Sequence, residues 1–193
     1  MTVEKVKTSL LERIGTGRTV EAYVVGAAFL EGGILAAALG DGRIAFIGGE
    51  STDASHFVSV HDGPCLSLSV DLDGKRVLTG GDDGRLVSTD ADGETTLIAD
   101  ITGRWVEPIA VSMASGLRAA AFGKTVRLFA RDGSETGTFD HPNTVGGLAF
   151  HPNFAENGKF YVAYSGPLKA GDDLGKVLWW KHSNYVAEYS VSS

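Results

Sequence analysis

Apolar runs and glycine turns recur in this chain at a fixed interval. GAAFLEGGILAAALGDGRIAFI starts at Gly26, LSLSVDLDGKRVLTGGDDGRLVSTDADG at Leu66 and AVSMASGLRAAAFGKTVRLFARDG at Ala110. Each reads as an apolar strand, a glycine turn, a second apolar strand, another turn and a third strand. Ile44, Leu86 and Val126 stand at matching places in the third strands, 42 and 40 residues apart, and Gly93 and Gly133, each preceded by Asp, close successive third strands at a spacing of 40. A fourth unit, VGGLAFHPNFAENGKFYVAYSG, begins at Val145. A second register agrees: His61 stands four residues before Cys65 and His141 four before Val145, and the two histidines are 80 residues apart. A period of about 40–45 residues holding four short strands defines an all-β fold, the β-propeller. About four blades are expected, over 23–60, 61–101, 105–139 and 141–191. A lone four-stranded blade leaves both faces wet, and stacking blades around an axis buries them. Strands are expected at 24–30, 34–39, 43–47, 65–70, 76–80, 85–89, 117–122, 125–130, 145–150 and 159–164.

Composition fits this reading and removes other classes. Glycine occupies 26 of 193 positions, nearly twice the usual share of about 7%, singly or in pairs between apolar runs, as many tight turns require. The formal charge is −7 and the pI about 5.2. An acidic surface repels phosphate backbones, and the basic residues Arg118, Lys124, Arg127 and Arg131 are interrupted by apolar positions, so no nucleic-acid partner is expected. Cys65 is the only cysteine, which excludes an internal disulfide and leaves a buried thiol as its reading. Residues 1–15 carry Glu4, Lys5, Lys7, Glu12 and Arg13 without an apolar export core. Residues 22–40 hold one charge, Glu31, but their Gly and Ala content makes them too weakly apolar for a span. A cytoplasmic protein without membrane attachment is the expectation.

Residues that could carry chemistry do not converge. Asp71-Leu72-Asp73-Gly74, Asp82-Asp83-Gly84 and Asp90-Ala91-Asp92-Gly93 resemble pieces of calcium loops, but calcium takes about 6–8 oxygens and none supplies a third spaced acid or a distal Glu. They read as hairpin turns. His56, His61, His141, His151 and His182 fall in separate units with no metal-ligand spacing. No G-x-S-x-G nucleophile elbow occurs, and Gly15-Thr16-Gly17 lacks the third glycine of a dinucleotide fingerprint. No catalytic, cofactor-binding or metal-ligating residue is therefore assigned, and no cofactor is expected. Trp179 and Trp180, with Tyr161, Tyr164, Tyr185 and Tyr189, make the fourth blade rich in aromatics. These serve either blade packing or a partner surface. Outside the blades, Val3, Val6, Leu10, Leu11 and Ile14 recur at helical spacing. Residues 1–20 are thus an N-terminal segment, a short helix or a closing strand, ahead of one propeller-type domain at 21–193, in which the polar stretch 169–176 reads as a surface loop.

HDGPCLSLSVDLDGKRVLTGGDDGRL, from His61, resembles the repeat of degenerate WD40 proteins of bacterial type, a likeness that extends over about 20–150. No blade carries the Trp-Asp dipeptide, and of the hydrogen-bonded His–Asp–Ser/Thr–Trp set of that family only His61 and Asp83 match. Residues 145–193, through HPNFAENGKFYVAYS, are similar to an early blade of the quinoprotein glucose/sorbosone dehydrogenases. The resemblance implies propeller kinship, and the chain reaches Ser193 before the catalytic histidine and quinone-holding arginines of those enzymes. The first resemblance implies a non-enzymatic scaffold that binds a protein or peptide partner. The alternative is a fragment of a PQQ-dependent sugar oxidoreductase without its catalytic motif. Rings of these families close with more blades than four, so the chain reads as an incomplete or composite propeller, with self-association left open. Its end faces are expected to expose Leu35, Leu39 and Ile44 at one end and Phe160, Val162, Leu178 and Trp180 at the other.

Overall fold

The computed structural model describes residues 19–48, 55–167 and 182–191. Strands β1 (Val24–Phe29), β2 (Leu35–Leu39), β3 (Arg43–Ile47) and β4 (Ser55–Ser59) form one antiparallel meander. The second contains β5 (Cys65–Val70), β6 (Arg76–Gly81), β7 (Arg85–Asp90) and β8 (Thr95–Asp100). The third contains β9 (Val106–Ser112), β10 (Leu117–Phe122), β11 (Thr125–Phe129) and β12 (Glu135–Asp140). β13 (Val145–Phe150), β14 (Lys159–Pro167) and β15 (His182–Ser190) make the described part of the fourth, with the one-turn helix α1 (Phe154–Asn157) between the first two. The chain is an all-β propeller of four blades, and the strands expected at 24–30 through 159–164 stand within a few residues of those places. The helix-or-strand segment before residue 19, the 169–176 loop and Trp179-Trp180 lie outside the described residues.

Period-two alternation sends successive side chains to opposite blade faces, and the faces turned toward an adjacent blade pack against it. Ile44 and Phe46 of the first blade meet Val77 and Val87 of the second. On the second blade's other face Leu78 and Leu86 meet Val106, Phe122 and Phe129 of the third. Ala121 and Val126 of the third meet Val145, Phe160 and Val162 of the fourth. Small residues in the first and second strands, such as Ala36 and Ala120, both 0% exposed, let the sheets crowd where they converge. The inner strands β1, β5, β9 and β13 pack in succession. No comparable packing joins β13 back to β1 among the described residues.

The expected end faces need correction. Ile44 points to the second blade, and Phe160 and Val162 to the third; all are buried. Leu39 does lie on the first blade's outward face, but it is 0% exposed, clustered with Ala37 and Ala45 beneath Val20 and Ala22. Leu35 is half-buried, and Leu178 and Trp180 lie outside the described residues. The fourth blade turns outward the opposite parity, where Glu188 accepts hydrogen bonds from Lys159 Nζ and Tyr161, both at 2.8 Å. Over the described residues that face mixes these polar groups with the exposed Val186 and with Ala163.

The stacking gives a direct stability expectation. Leu86→Ala, at a position 0% exposed between the second and third blades, should cost about 2–5 kcal/mol. Leu97→Ala, on the outer strand at 56% exposed, should stay within about 0.5 kcal/mol. Urea unfolding of both variants measures the contrast, and similar losses at the two sites would contradict the stacked arrangement.

Candidate interaction face

A meander puts the turn between its second and third strands at the same end as the loop that enters the next blade. The two are tied together. Val60 and His61 donate their N–H groups to the Gly42 carbonyl, both at 3.0 Å, and Ile101 N–H reaches the Gly84 carbonyl at 3.0 Å. His141 N–H reaches Lys124 O at 2.8 Å and Val145 N–H reaches Gly123 O at 3.0 Å. Gly42 and Gly84 have φ of 84° and 85°, and a Cβ would strike the His61 carbonyl at the first and the Ile101 carbonyl at the second. Only glycine fits both the left-handed backbone and the close approach.

In the second blade a side-chain network pins the loop further. His61, 6% exposed, places Nδ1 3.0 Å from Asp83 Oδ1 and Nε2 3.0 Å from Thr79 Oγ1. An ionised carboxylate only accepts, so the neutral ring carries its proton on Nδ1, and Nε2 accepts from the Thr79 hydroxyl. Asp83 also accepts from Asp62 N–H at 3.1 Å and Arg85 N–H at 3.0 Å. Burial alone would raise the Asp83 pKa. The Arg85 backbone and guanidinium hydrogen bonds, with Asp62 N–H, outweigh it and hold the group down at about 2. Burial pushes the His61 pKa below its ordinary value despite the opposing pull of Asp83. His61 and Asp83 therefore pair as the WD40 resemblance implies, and Thr79 is a third member that sequence matching missed. In the fourth blade the described partners of His141 differ: its Nδ1 lies 2.9 Å from Asn143 O, and its ring packs on Tyr164 at 4.2 Å.

One exposed residue stands ahead of each inner strand, and in the first blade its carbonyl, Tyr23 O, accepts from Gly40 N–H at 2.8 Å. Tyr23 and Trp105 are 78% and 68% exposed, and Pro64 and Thr144 take the corresponding places. The next residue is buried in three blades, as Cys65, Val106 and Val145, and partly exposed in the first, as Val24. A β-bulge follows at the start of every inner strand, between Val24 and Gly26, Cys65 and Ser67, and Val145 and Gly147, and in the third blade where Val106 pairs with Phe122. Bulges re-aim side chains at sheet rims. Burial pushes the Cys65 thiol up to about 11, so it is an inert core group as its apolar run suggested.

The other turns hold structure. Asp71, 1% exposed, accepts from Arg118 Nε at 2.7 Å and Nη2 at 2.9 Å, from Leu72 N–H at 2.8 Å and from Ser88 Oγ. Burial would raise its pKa, but the Arg118 and Ser88 hydrogen bonds leave it lowered. Arg118 also donates to Ala130 O at 3.0 Å, so this pair bolts the second blade to the third at the foot of a cavity of about 240 Å³. Asp73 and Asp90 cap their own turns through Lys75 N–H and Glu94 N–H at 2.9 and 2.8 Å, as the hairpin reading requires. Among the described residues no group of three or more His, Cys, Asp or Glu could hold a metal ion. His56 stacks on Phe46, His151 Nδ1 accepts from Asn153 N–H at 3.0 Å, and His182 opens β15. In the fourth blade, Phe154, Phe160 and Tyr189 pack the third–fourth blade interface. The fourth-blade tyrosines thus belong mainly to packing, and among the described residues the largely exposed aromatics lie on blades one and three.

No family model matches the chain, and no curated protein matches it. A chain in the crystal structure of a mitotic checkpoint complex is similar, with a TM-score of 0.61 at 17% identity, covering 73% of this chain and 46% of that one. At this identity the likeness concerns the fold alone, and this chain spans less than half of that neighbour. Fold and rim together define a propeller that offers an exposed loop face.

Two expectations follow. Arg118→Ala leaves Asp71 buried without its partner and should cost about 3–5 kcal/mol, read by urea unfolding; a loss below about 1 kcal/mol would show that the pair does not bolt the blades. Stability should also fall with acid in two windows. His61 has a depressed folded pKa, so its contribution begins to fade as pH drops below its unfolded value of about 6.5. Asp83 is depressed too, so its contribution is present above about 4 and fades toward its folded value of about 2. Thermal melts from pH 8 to pH 3 should show both declines, and His61→Gln, less stable throughout, should lose the upper one.

Proposed function

We propose that this chain is a non-enzymatic propeller scaffold of WD40-like type that docks a protein or peptide partner on its loop face. The supporting observation is the placement of Tyr23 and Trp105, both largely exposed, on held backbone: Tyr23 O accepts from Gly40 N–H at 2.8 Å, and the loop of Trp105 is tied through Ile101 N–H to Gly84 O at 3.0 Å. Exposing two large aromatics costs hydration free energy that a solitary molecule has no use for, and aromatics on rigid supports lose little entropy when they anchor an interface. The rim brings together no nucleophile with a base and no group of metal ligands among the described residues. The expected activity is therefore recognition.

A photo-crosslinking residue placed at position 105 should capture a partner that the same residue at position 97 does not. Capture should fall by about tenfold or more when Tyr23 is also changed to Ala, a loss on the scale of an interface anchor, with the melting temperature unchanged. Equal capture at 97 and 105, or capture indifferent to Tyr23→Ala, would refute docking on this face.

A further inference from the structure

Resting on that docking reading, we infer that the occupant of the rim is a lysine- or arginine-rich segment of another protein. Five carboxylates stand in the loops and turns of this face: Glu21, Asp41, Asp62, Asp82 and Asp83. Asp100 and Asp140 end the outer strands beside them, and the cations at the same end among the described residues are Arg43, Arg85, Arg104 and Lys124. Three of these cations are engaged within the chain. Arg43 grips Asp41 at 2.6 Å and lies over the Phe57 ring. Arg85 spans Asp83 at 2.7 Å and Asp62 at 3.1 Å, and Lys124 Nζ donates to Pro142 O at 2.8 Å. Among the described residues the carboxylates at this end outnumber the cations seven to four, so this part of the rim carries net negative charge.

The charge and the aromatics share one geometry. The loop of the second blade lies between those of the first and third, because β5 packs against both β1 and β9. In that loop the Asp82 carboxylate lies directly over Gly63, one residue from Pro64, and the Asp62 side chain is 89% exposed. Acid therefore sits between the aromatic of the first blade and that of the third. Ammonium and guanidinium groups are attracted both to carboxylates and to the faces of Trp and Tyr rings. Anionic segments meet repulsion from every one of these groups. A neutral apolar partner would leave the exposed carboxylates unanswered.

The probes are two fluorescent twelve-residue peptides, identical except that one has Lys where the other has Glu. They are titrated with the full chain and read by anisotropy. The Lys peptide should bind saturably at low salt and weaken by about tenfold or more between 50 and 500 mM salt, as screened charge contacts do. Tyr23→Ala with Trp105→Ala, and separately Asp62→Asn with Asp82→Asn, should each weaken it by about fivefold or more. Asp92→Asn, in the turn between β7 and β8 at the opposite end of the second blade, should leave it unchanged. Binding of the Glu peptide as tightly, or Lys-peptide binding that Asp92→Asn weakens as much as the rim changes do, would overturn the inference. Crosslinking at position 105 to a partner through an acidic or uncharged segment would overturn it too, while leaving rim docking intact. Failure of any capture at 105 would remove the docking reading itself.

Discussion

Everything in this molecule follows from the need to bury both faces of a thin antiparallel sheet. A four-stranded meander has no interior of its own, so each apolar position must find the next sheet. Val77 and Val87 look one way and Leu78 and Leu86 the other, from adjacent residues of the same strands. One blade thus serves two cores at once, and a one-residue slip in register would exchange them. That requirement explains why the strand pattern is so regular across blades whose sequences otherwise differ.

Stacking also decides where function can be placed. Blade faces that meet another blade are consumed by packing, and outer strands such as β8 and β12 carry only half-buried and exposed residues. What remains for recognition is the two ends, where connections run. Of these, one end is stiffened by backbone bonds from the loops entering the second, third and fourth blades to the turn beside each. The bulge at the start of every inner strand then fixes how the preceding residue leaves the sheet. Large exposed aromatics appear at this junction in alternate blades, with Pro64 between them. A rigid support is what makes such residues useful as anchors, since little freedom is left to lose on binding.

The legible part of the sequence was the part written in apolar alternation. Second and third strands such as Leu35–Leu39 and Arg43–Ile47 are buried on both faces, so they stand out as dense apolar runs between glycine turns. The outer strands did not, because Thr95–Asp100 and Glu135–Asp140 carry threonines and acids on the side that faces water. β9 was blurred by Glu107 and Pro108, which interrupt its apolar run where its pairing is irregular. The orientation of the end faces was misjudged for a different reason. Alternation shows which residues share a face, but only the neighbouring blade determines which face is inward, and Ile44, Phe160 and Val162 turned out to point to it. The site was less legible than the fold. His61 and Asp83 could be matched by position, yet Thr79 and the Arg118–Asp71 pair, 47 residues apart, become partners only when the blades are stacked.

The polar networks show why acid-rich turns in this chain should not be equated with ion sites. Each conspicuous aspartate has a backbone or guanidinium donor within its own blade or the next: Asp71 has Arg118 and Ser88, Asp83 has Arg85 and His61, Asp90 has Glu94 N–H and Arg76. A carboxylate so occupied has little left to offer a cation, whereas one at the rim that reaches a guanidinium only from solvent, like Asp62, still does. Burial therefore sorts the same residue type into two roles. Where stacking encloses it, aspartate fastens one strand or blade to another; where the loops leave it open beside Tyr23 and Trp105, it sets the charge that an arriving partner meets first.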